Sequence, residues 1–300
     1  MGQLKEKLLS QSKVITAEVT PPKGAGIKKL AKNAENLKPW VDAINITDCQ
    51  RALVKMSSLA ASRILLDLGI EPVFQLTCRD RNRIALQADL LGASALGITN
   101  VLCLTGDPVK VGDCKDAKPV FELESTKLLK MARKLQNGFD DSGIKMNAPT
   151  RFFLGSAINP TLRGNSSQLL RLTHKIEAGA QFFQTQANYD LEDFKAFCIE
   201  AKKLNTKILA GILILHSLES AQYIHENIPG IQIPTEIIEE FRDSTDTEQT
   251  GINIAVKSML SLSPYVDGFH VMSIRKEELI AKVLENYYDH SATQKNSTLS

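Results

Sequence analysis

Two carboxylates stand where runs of apolar, β-favouring residues give out. Glu18 closes VITAE just before Val19-Thr20-Pro21-Pro22, and Asp107 closes VLCLTGD just before Pro108. A carboxyl group among apolar neighbours is partly desolvated, which disfavours its charged form and raises its pKa, the condition for a general acid near neutral pH. Glu18 meets that description; its alternative is a carboxylate paired with a lysine or accepting from a loop amide. Asp107 lies in Gly-Asp-Pro, which is equally a plain turn signature. Gln75 and Gln186 carry amides that donate and accept together, which suits the edge of a heterocycle as well as an ordinary satisfied pocket position. Thr47 with Asp48, Thr77, Asn159, His216 and Ser273 occupy the same kind of place at the ends of other apolar runs. His216 has no second histidine or cysteine at ligand spacing, so no metal site is argued.

These residues share one end of the fold only if the elements carrying them are parallel. Eight short apolar runs (14–20, 41–48, 72–78, 100–107, 151–159, 180–188, 207–215 and 266–273) each precede a segment of helical period. Strands that are apolar nearly throughout imply a parallel sheet buried on both faces. Eight β/α units suit closure into an α/β (β/α)8 barrel, with an open doubly wound sheet as the alternative. In a barrel the C-terminal ends of all strands face one mouth, whatever their distance in sequence. Two insertions stand out: 106–122 after the fourth run, and 233–262, which adds one or two helices before the last strand. The expected organisation is one catalytic domain over 1–288 and a polar, disordered tail over 289–300.

Composition narrows the function classes. The 300 residues carry 36 Lys and Arg against 34 Asp and Glu, a net charge of +2 with no basic tract, so nucleic acid is not an expected partner. No run of about 18 apolar residues could span a bilayer, and the charged start does not read as a signal peptide. The expected compartment is the cytoplasm, and the five cysteines, none in a C-x-x-C pair, are expected to be reduced thiols. No G-x-G-x-x-G follows a strand, and neither a phosphate-binding G-x-x-x-x-G-K-[ST] nor a G-x-S-x-G elbow occurs. Apolar helix faces would allow a homodimer or tetramer.

In order along the chain, AEVTPPKG, INITD, FQLTCRD, VLCLTGD, IEAGAQFFQTQANYD and DGFHVMS resemble the flavin-dependent methylenetetrahydrofolate reductases, over roughly residues 14–286. The segment GDCKDAKPVFELES is most similar to bacterial members fused to, or working beside, methyltransferases. The resemblance implies FAD at the strand C-termini and ping-pong reduction of 5,10-methylenetetrahydrofolate to 5-methyltetrahydrofolate, with NADH or NADPH as electron donor. It makes Glu18 the general acid at N10 and sets Asp107 beside flavin and pterin, where its charge would oppose the anionic reduced flavin. It assigns Thr47, Gln75, Asn159 and Lys175 to the cofactor, with Lys175 at the FAD phosphates, and Gln186, Asp107, Tyr223 and Lys276 to the substrate side. The sequence also departs from the family: a histidine before L-T-C is Gln75, an arginine in L-R-G-D is Thr105, and an arginine beside the matching lysine is His174. A partner protein delivering electrons therefore stays open, as does a non-catalytic flavin- or folate-binding scaffold. A flavin-free barrel such as a pterin-dependent methyltransferase is the third reading.

Overall fold

The computed structural model describes residues 2–160, 165–228 and 230–297. The eight apolar runs form β1 (Val14–Val19), β2 (Ala43–Ile46), β3 (Pro72–Thr77), β4 (Asn100–Leu104), β5 (Phe153–Ile158), β6 (Phe182–Thr185), β7 (Lys207–Ile214) and β8 (Gly268–Ser273). All neighbours pair in parallel, and β1 pairs with β8 to close the barrel. The helices are α1 (Gln3–Leu9), α2 (Lys28–Leu37), α3 (Ser58–Asp67), α4 (Arg83–Ala95), α5 (Ser125–Gln136), α6 (Asn165–Ala178), α7 (Leu191–Lys202), α8 (Leu218–Asn227), α9 (Thr235–Arg242), α10 (Thr247–Leu262) and α11 (Glu278–Ser297). The extra helices expected before the last strand are α9 and α10.

Local chemistry explains where helices begin and which face they bury. The side chains of Ser57, Asn82, Asp190 and Asp246 accept from the backbone N–H groups of Ala60, Ala85, Asp193 and Gln249, satisfying first-turn donors that have no partner within the helix. On α2, Leu30, Ala34 and Leu37 recur at helical spacing and are buried, so one stripe faces the sheet while the lysines stay in water.

Inside the barrel the two-residue period of a strand sorts side chains into layers. Val14, Ala43, Val73, Leu102, Phe153, Phe182 and Leu209 form an apolar layer at the N-terminal end, with the Phe153 and Phe182 rings stacked 4.8 Å apart. Helix α1, which the sequence reading leaves unassigned, places Leu4 and Leu8 one turn apart into that layer and plugs it. Two residues further along their strands stand Thr16, Asn45, Gln75 and Gln184, all buried and all polar. The interior thus changes from apolar to polar along the barrel axis.

The last helix runs on through Ser297, past the boundary expected at 288, and residues 298–300 lie outside the described residues. Among the described residues no helix is long and apolar enough to cross a membrane.

Candidate active site at the barrel mouth

Glu18 is the inward residue of β1 one layer above Thr16, and its side chain is 13% exposed. The expected apolar pocket does not form around it. Its Oε1 accepts from Gln50 Nε2 and its Oε2 from Gln75 Nε2, each at 3.2 Å. His270 of β8 brings Nε2 to 3.7 Å from Oε2, beyond hydrogen-bond length but close enough for an ion pair when the imidazole carries its proton. Behind it, His270 Nδ1 and Thr16 Oγ1 are 2.9 Å apart, Gln184 Nε2 donates to Thr16 Oγ1 at 3.2 Å, and the Gln184 and Asn45 side-chain amides pair reciprocally at 2.7 and 2.9 Å. A chain of polar groups therefore runs from the barrel centre to the carboxyl group, every link of it out of water. Sequence reasoning missed Thr16, Asn45, Gln184 and His270. Thr16, Asn45 and Gln184 stand two residues before Glu18, Thr47 and Gln186 and so share their inward face, a spacing that could have found them, and His270 is in register with Thr16 on the neighbouring strand.

Asp107 reaches the mouth because Gly106 turns the chain at φ +96°, a backbone state that L side chains rarely adopt. The aspartate is exposed, and its Oδ2 accepts from the backbone N–H of Arg51 at 2.7 Å. Arg51 follows directly on Gln50, so consecutive residues of the loop after β2 contact the two predicted acids. In that loop Cys49, Arg51 and Ala52 all take left-handed conformations without being glycine, which costs on the order of 1–3 kcal/mol each and is a pattern found at clamps and switches. Arg51 Nη1 also donates to Tyr223 Oη on α8 at 2.8 Å, its guanidinium 5.8 Å from the ring centroid.

The other predicted residues divide. Gln75 joins Glu18 directly. Thr47, directly after β2, is fully buried with its hydroxyl unpartnered. Gln186, half-buried just beyond β6, donates its backbone N–H to Ile158 at 2.9 Å, and Asn159 is half-buried just beyond β5. Lys175 of α6 is turned to the barrel wall, where Nζ donates to the Ala157 carbonyl at 2.7 Å; burial pushes its ammonium below the usual lysine range despite the attraction of Glu124. Lys276 Nζ donates to Glu248 Oε1 of α10 at 2.6 Å, a charge-assisted bond that raises its pKa. Asp48, beside Thr47, faces outward: it is 2% exposed, accepts from Thr77 N–H and Oγ1, and is gripped by both terminal nitrogens of Arg81 at 2.7 and 3.1 Å. That makes it a structural clamp. The cysteines are free thiols, and burial pushes Cys78 and Cys198 up to about 12, which leaves them inert as nucleophiles.

Among the described residues eight buried side-chain polar atoms have no partner. Thr47 Oγ1, Arg79 Nη1, Asn188 Nδ2 and Ser273 Oγ lie at or just beyond the C-terminal ends of strands, whereas Ser62 Oγ is on α3 and Asn100 Oδ1, Thr150 Oγ1 and Thr206 Oγ1 lie at or just before the starts of β4, β5 and β7, so such atoms occur at both ends of the barrel. The profile of the methylenetetrahydrofolate reductase family matches residues 3–288. The chain belongs to that family. Methylenetetrahydrofolate reductase 1 of Schizosaccharomyces pombe is 23% identical over 89% of this chain and 45% of its own length, so the chain spans just under half of that relative. The 5,10-methylenetetrahydrofolate reductase of Buchnera aphidicola is 25% identical over 89% of both chains, and that of Escherichia coli 26% over 70% and 68%. Among solved structures, a Clostridium thermocellum protein described as binding two copies of 5-methyl-5,6,7,8-tetrahydrofolic acid superposes with a TM-score of 0.67 at 19% identity, covering 93% of this chain and 96% of the other. A deoxyribose phosphate aldolase from Aeropyrum pernix shares the fold at TM-score 0.50 and 12% identity, a reminder that the barrel alone carries no chemistry.

Proposed function

We propose that this chain is a cytoplasmic, FAD-dependent methylenetetrahydrofolate reductase that forms 5-methyltetrahydrofolate in one-carbon metabolism feeding methionine biosynthesis. The observation that carries the reading is the placement of Glu18: a shielded carboxyl group at the mouth, backed by the His270–Thr16–Gln184–Asn45 chain, in a member of this family. FAD, when bound at the mouth, supplies the hydride for the one-carbon unit and is itself recharged by NADH or NADPH.

The chain's own residues account for the rest. Glu18 gives its proton to N10 of the folate, which opens the five-membered ring and leaves an electrophilic iminium carbon; general acid catalysis of this kind contributes roughly 10²–10⁴-fold. Gln75, on β3, orients the carboxyl group through Oε2, and His270 is a positioning residue that stands between Glu18 and Thr16. Asp107, released from Arg51, presents a negative charge where the cofactor and pterin meet, and such a charge favours loss of hydride from an anionic reduced ring. Thr47, Asn188 and Ser273 offer the unpartnered polar atoms that would hold the heterocycles. Asn159 and Gln186 stand on neighbouring strand ends, suited to cofactor and folate respectively. For Lys175 to meet a phosphate it must leave the Ala157 carbonyl.

A second reading is a folate-binding subunit that takes electrons from a partner protein or has no catalysis; the named ligand of the Clostridium thermocellum neighbour favours folate in the mouth without requiring a nicotinamide. An anaerobic titration separates them. The FAD-loaded protein should lose its absorbance near 450 nm on addition of NADH or NADPH and recover it with methylenetetrahydrofolate. No bleaching by either nucleotide, with recovery after chemical reduction, assigns the electrons to a partner. No recovery at all overturns the reductase reading.

A further inference from the structure

We propose that residues 49–54, between β2 and α3, form a strap that occupies ligand-facing oxygens of Glu18 and Asp107, with the Arg51–Tyr223 contact as its latch. The inference rests on the reductase reading for the ligand and on geometry for the strap.

Each residue along the segment is spoken for. Gln50 Nε2 donates to Glu18, Arg51 N–H to Asp107, Arg51 Nη1 to Tyr223, and Val54 N–H to Asp113 Oδ1 at 2.9 Å. Asp113 in turn pairs with Lys23 of the loop after β1 at 2.5 Å. Ala52 lies so close to the loop after β4 that a β-carbon on Gly112 would fall 1.9 Å from its carbonyl oxygen. Loops after β1, β2 and β4 and the helix after β7 are thus joined across the mouth by one segment, and three of its residues are in left-handed backbone states that only over-determining contacts maintain.

The same contacts describe what displaces it. Asp107 holds a backbone N–H from the strap, so a ligand that replaces the strap must bring an N–H or O–H donor to it, whereas Glu18 keeps the Gln75 amide on Oε2 and can turn its acid proton to an acceptor atom of the ligand. A heterocycle that carries both an N–H and a basic nitrogen does so. A purely anionic ligand does not, because it would leave the Asp107 carboxylate facing it with nothing to accept. Once the strap moves, Arg51 is freed from Tyr223 and becomes a cation at the rim, available to the acidic part of the same ligand.

Two measurements on the full chain decide this, with FAD as probe. In the ligand-free protein, hydrogen exchange at the Arg51 and Val54 amides should quicken about fivefold in Tyr223→Phe, the effect of losing roughly one net hydrogen bond. Tyr223 is exposed, so the variant is not expected to misfold. In stopped flow, the rate of FAD association should level off with concentration at the rate of strap opening, and Tyr223→Phe should raise that plateau by a similar factor. FAD binding with a rate linear in concentration, or exchange unmoved by Tyr223→Phe, overturns the strap while leaving the reductase reading intact. No equilibrium FAD binding by wild type, seen as absence of flavin absorbance in the desalted protein, sinks the reductase reading, and the gating role with it.

Discussion

The two ends of the barrel use carboxylates in opposite ways. At the N-terminal end, Asp42, Glu71 and Asp267 each stand one residue ahead of a strand and accept from backbone N–H groups of a neighbouring element: Asp42 from Ile15 at 2.7 Å, Glu71 from Gln3 at 2.6 Å, Asp267 from Ile208 at 2.9 Å. They fasten strands and the α1 plug, over an apolar layer with nothing polar to titrate. At the C-terminal end, Glu18 and Asp107 accept from a single loop whose hold depends on left-handed residues and a latch. One end is built to stay closed and the other to exchange its partners, which is why the same residue type stabilises below and does chemistry above.

If this division is right, damage at the lower end should cost stability and spare the chemistry of whatever remains folded. The largest such effect should come from Phe182→Ala, which empties the centre of the apolar layer; a loss of about 3–5 kcal/mol is expected in urea unfolding, with turnover per folded molecule unchanged. Glu71→Gln should cost less, about 1.5–3 kcal/mol, by weakening the charged acceptor that receives the first N–H groups of α1. A change in turnover larger than the change in folded fraction, in either variant, would break the comparison.

At the upper end, His270→Gln should leave the melting temperature close to wild type while slowing folate reduction by about tenfold, since the polar link from Thr16 to Glu18 loses its middle member. Equal loss of stability and rate would mark His270 as packing only. The smallest effect concerns Lys175. Its folded pKa is depressed by burial, so the folded state carries a penalty while the lysine is protonated, and stability rises as pH climbs from the folded pKa toward the unfolded value near 10.5. Lys175→Met removes the penalty, so its stability advantage over wild type should shrink as pH rises toward that value. An advantage independent of pH would mean that the Ala157 contact, not desolvation, governs the site.

Strand ends were legible because a parallel barrel writes them plainly: each apolar run stops at a polar residue, and Glu18, Thr47 and Asp107 were found that way. The interior chain of Thr16, Asn45, Gln184 and His270 was not, because one polar residue within an apolar run looks like an interruption until the layer below fixes which face points inward. For Lys276 and Lys175 the sequence shows the cation but not its local partner. A cation at a plausible position was captured by a local acceptor, Glu248 in one case and the Ala157 carbonyl in the other, and no spacing rule reports a partner contributed by another element. Helix α1 escaped notice because Leu4 and Leu8 are only two apolar positions in a charged segment, enough to plug a layer but too few to make a periodic stripe. The strap was invisible for a related reason: it is made of backbone donors, which every sequence has.

The most direct test concerns Glu18 itself. Wild type and Glu18→Gln, both loaded with FAD and chemically reduced without oxygen, would be mixed with methylenetetrahydrofolate while absorbance near 450 nm is followed. The account predicts recovery in wild type and recovery at least 10²-fold slower in the variant, with equal flavin binding and equal rates of reduction by NADH or NADPH, because only the folate step needs the acid. Recovery at the wild-type rate in Glu18→Gln would contradict it.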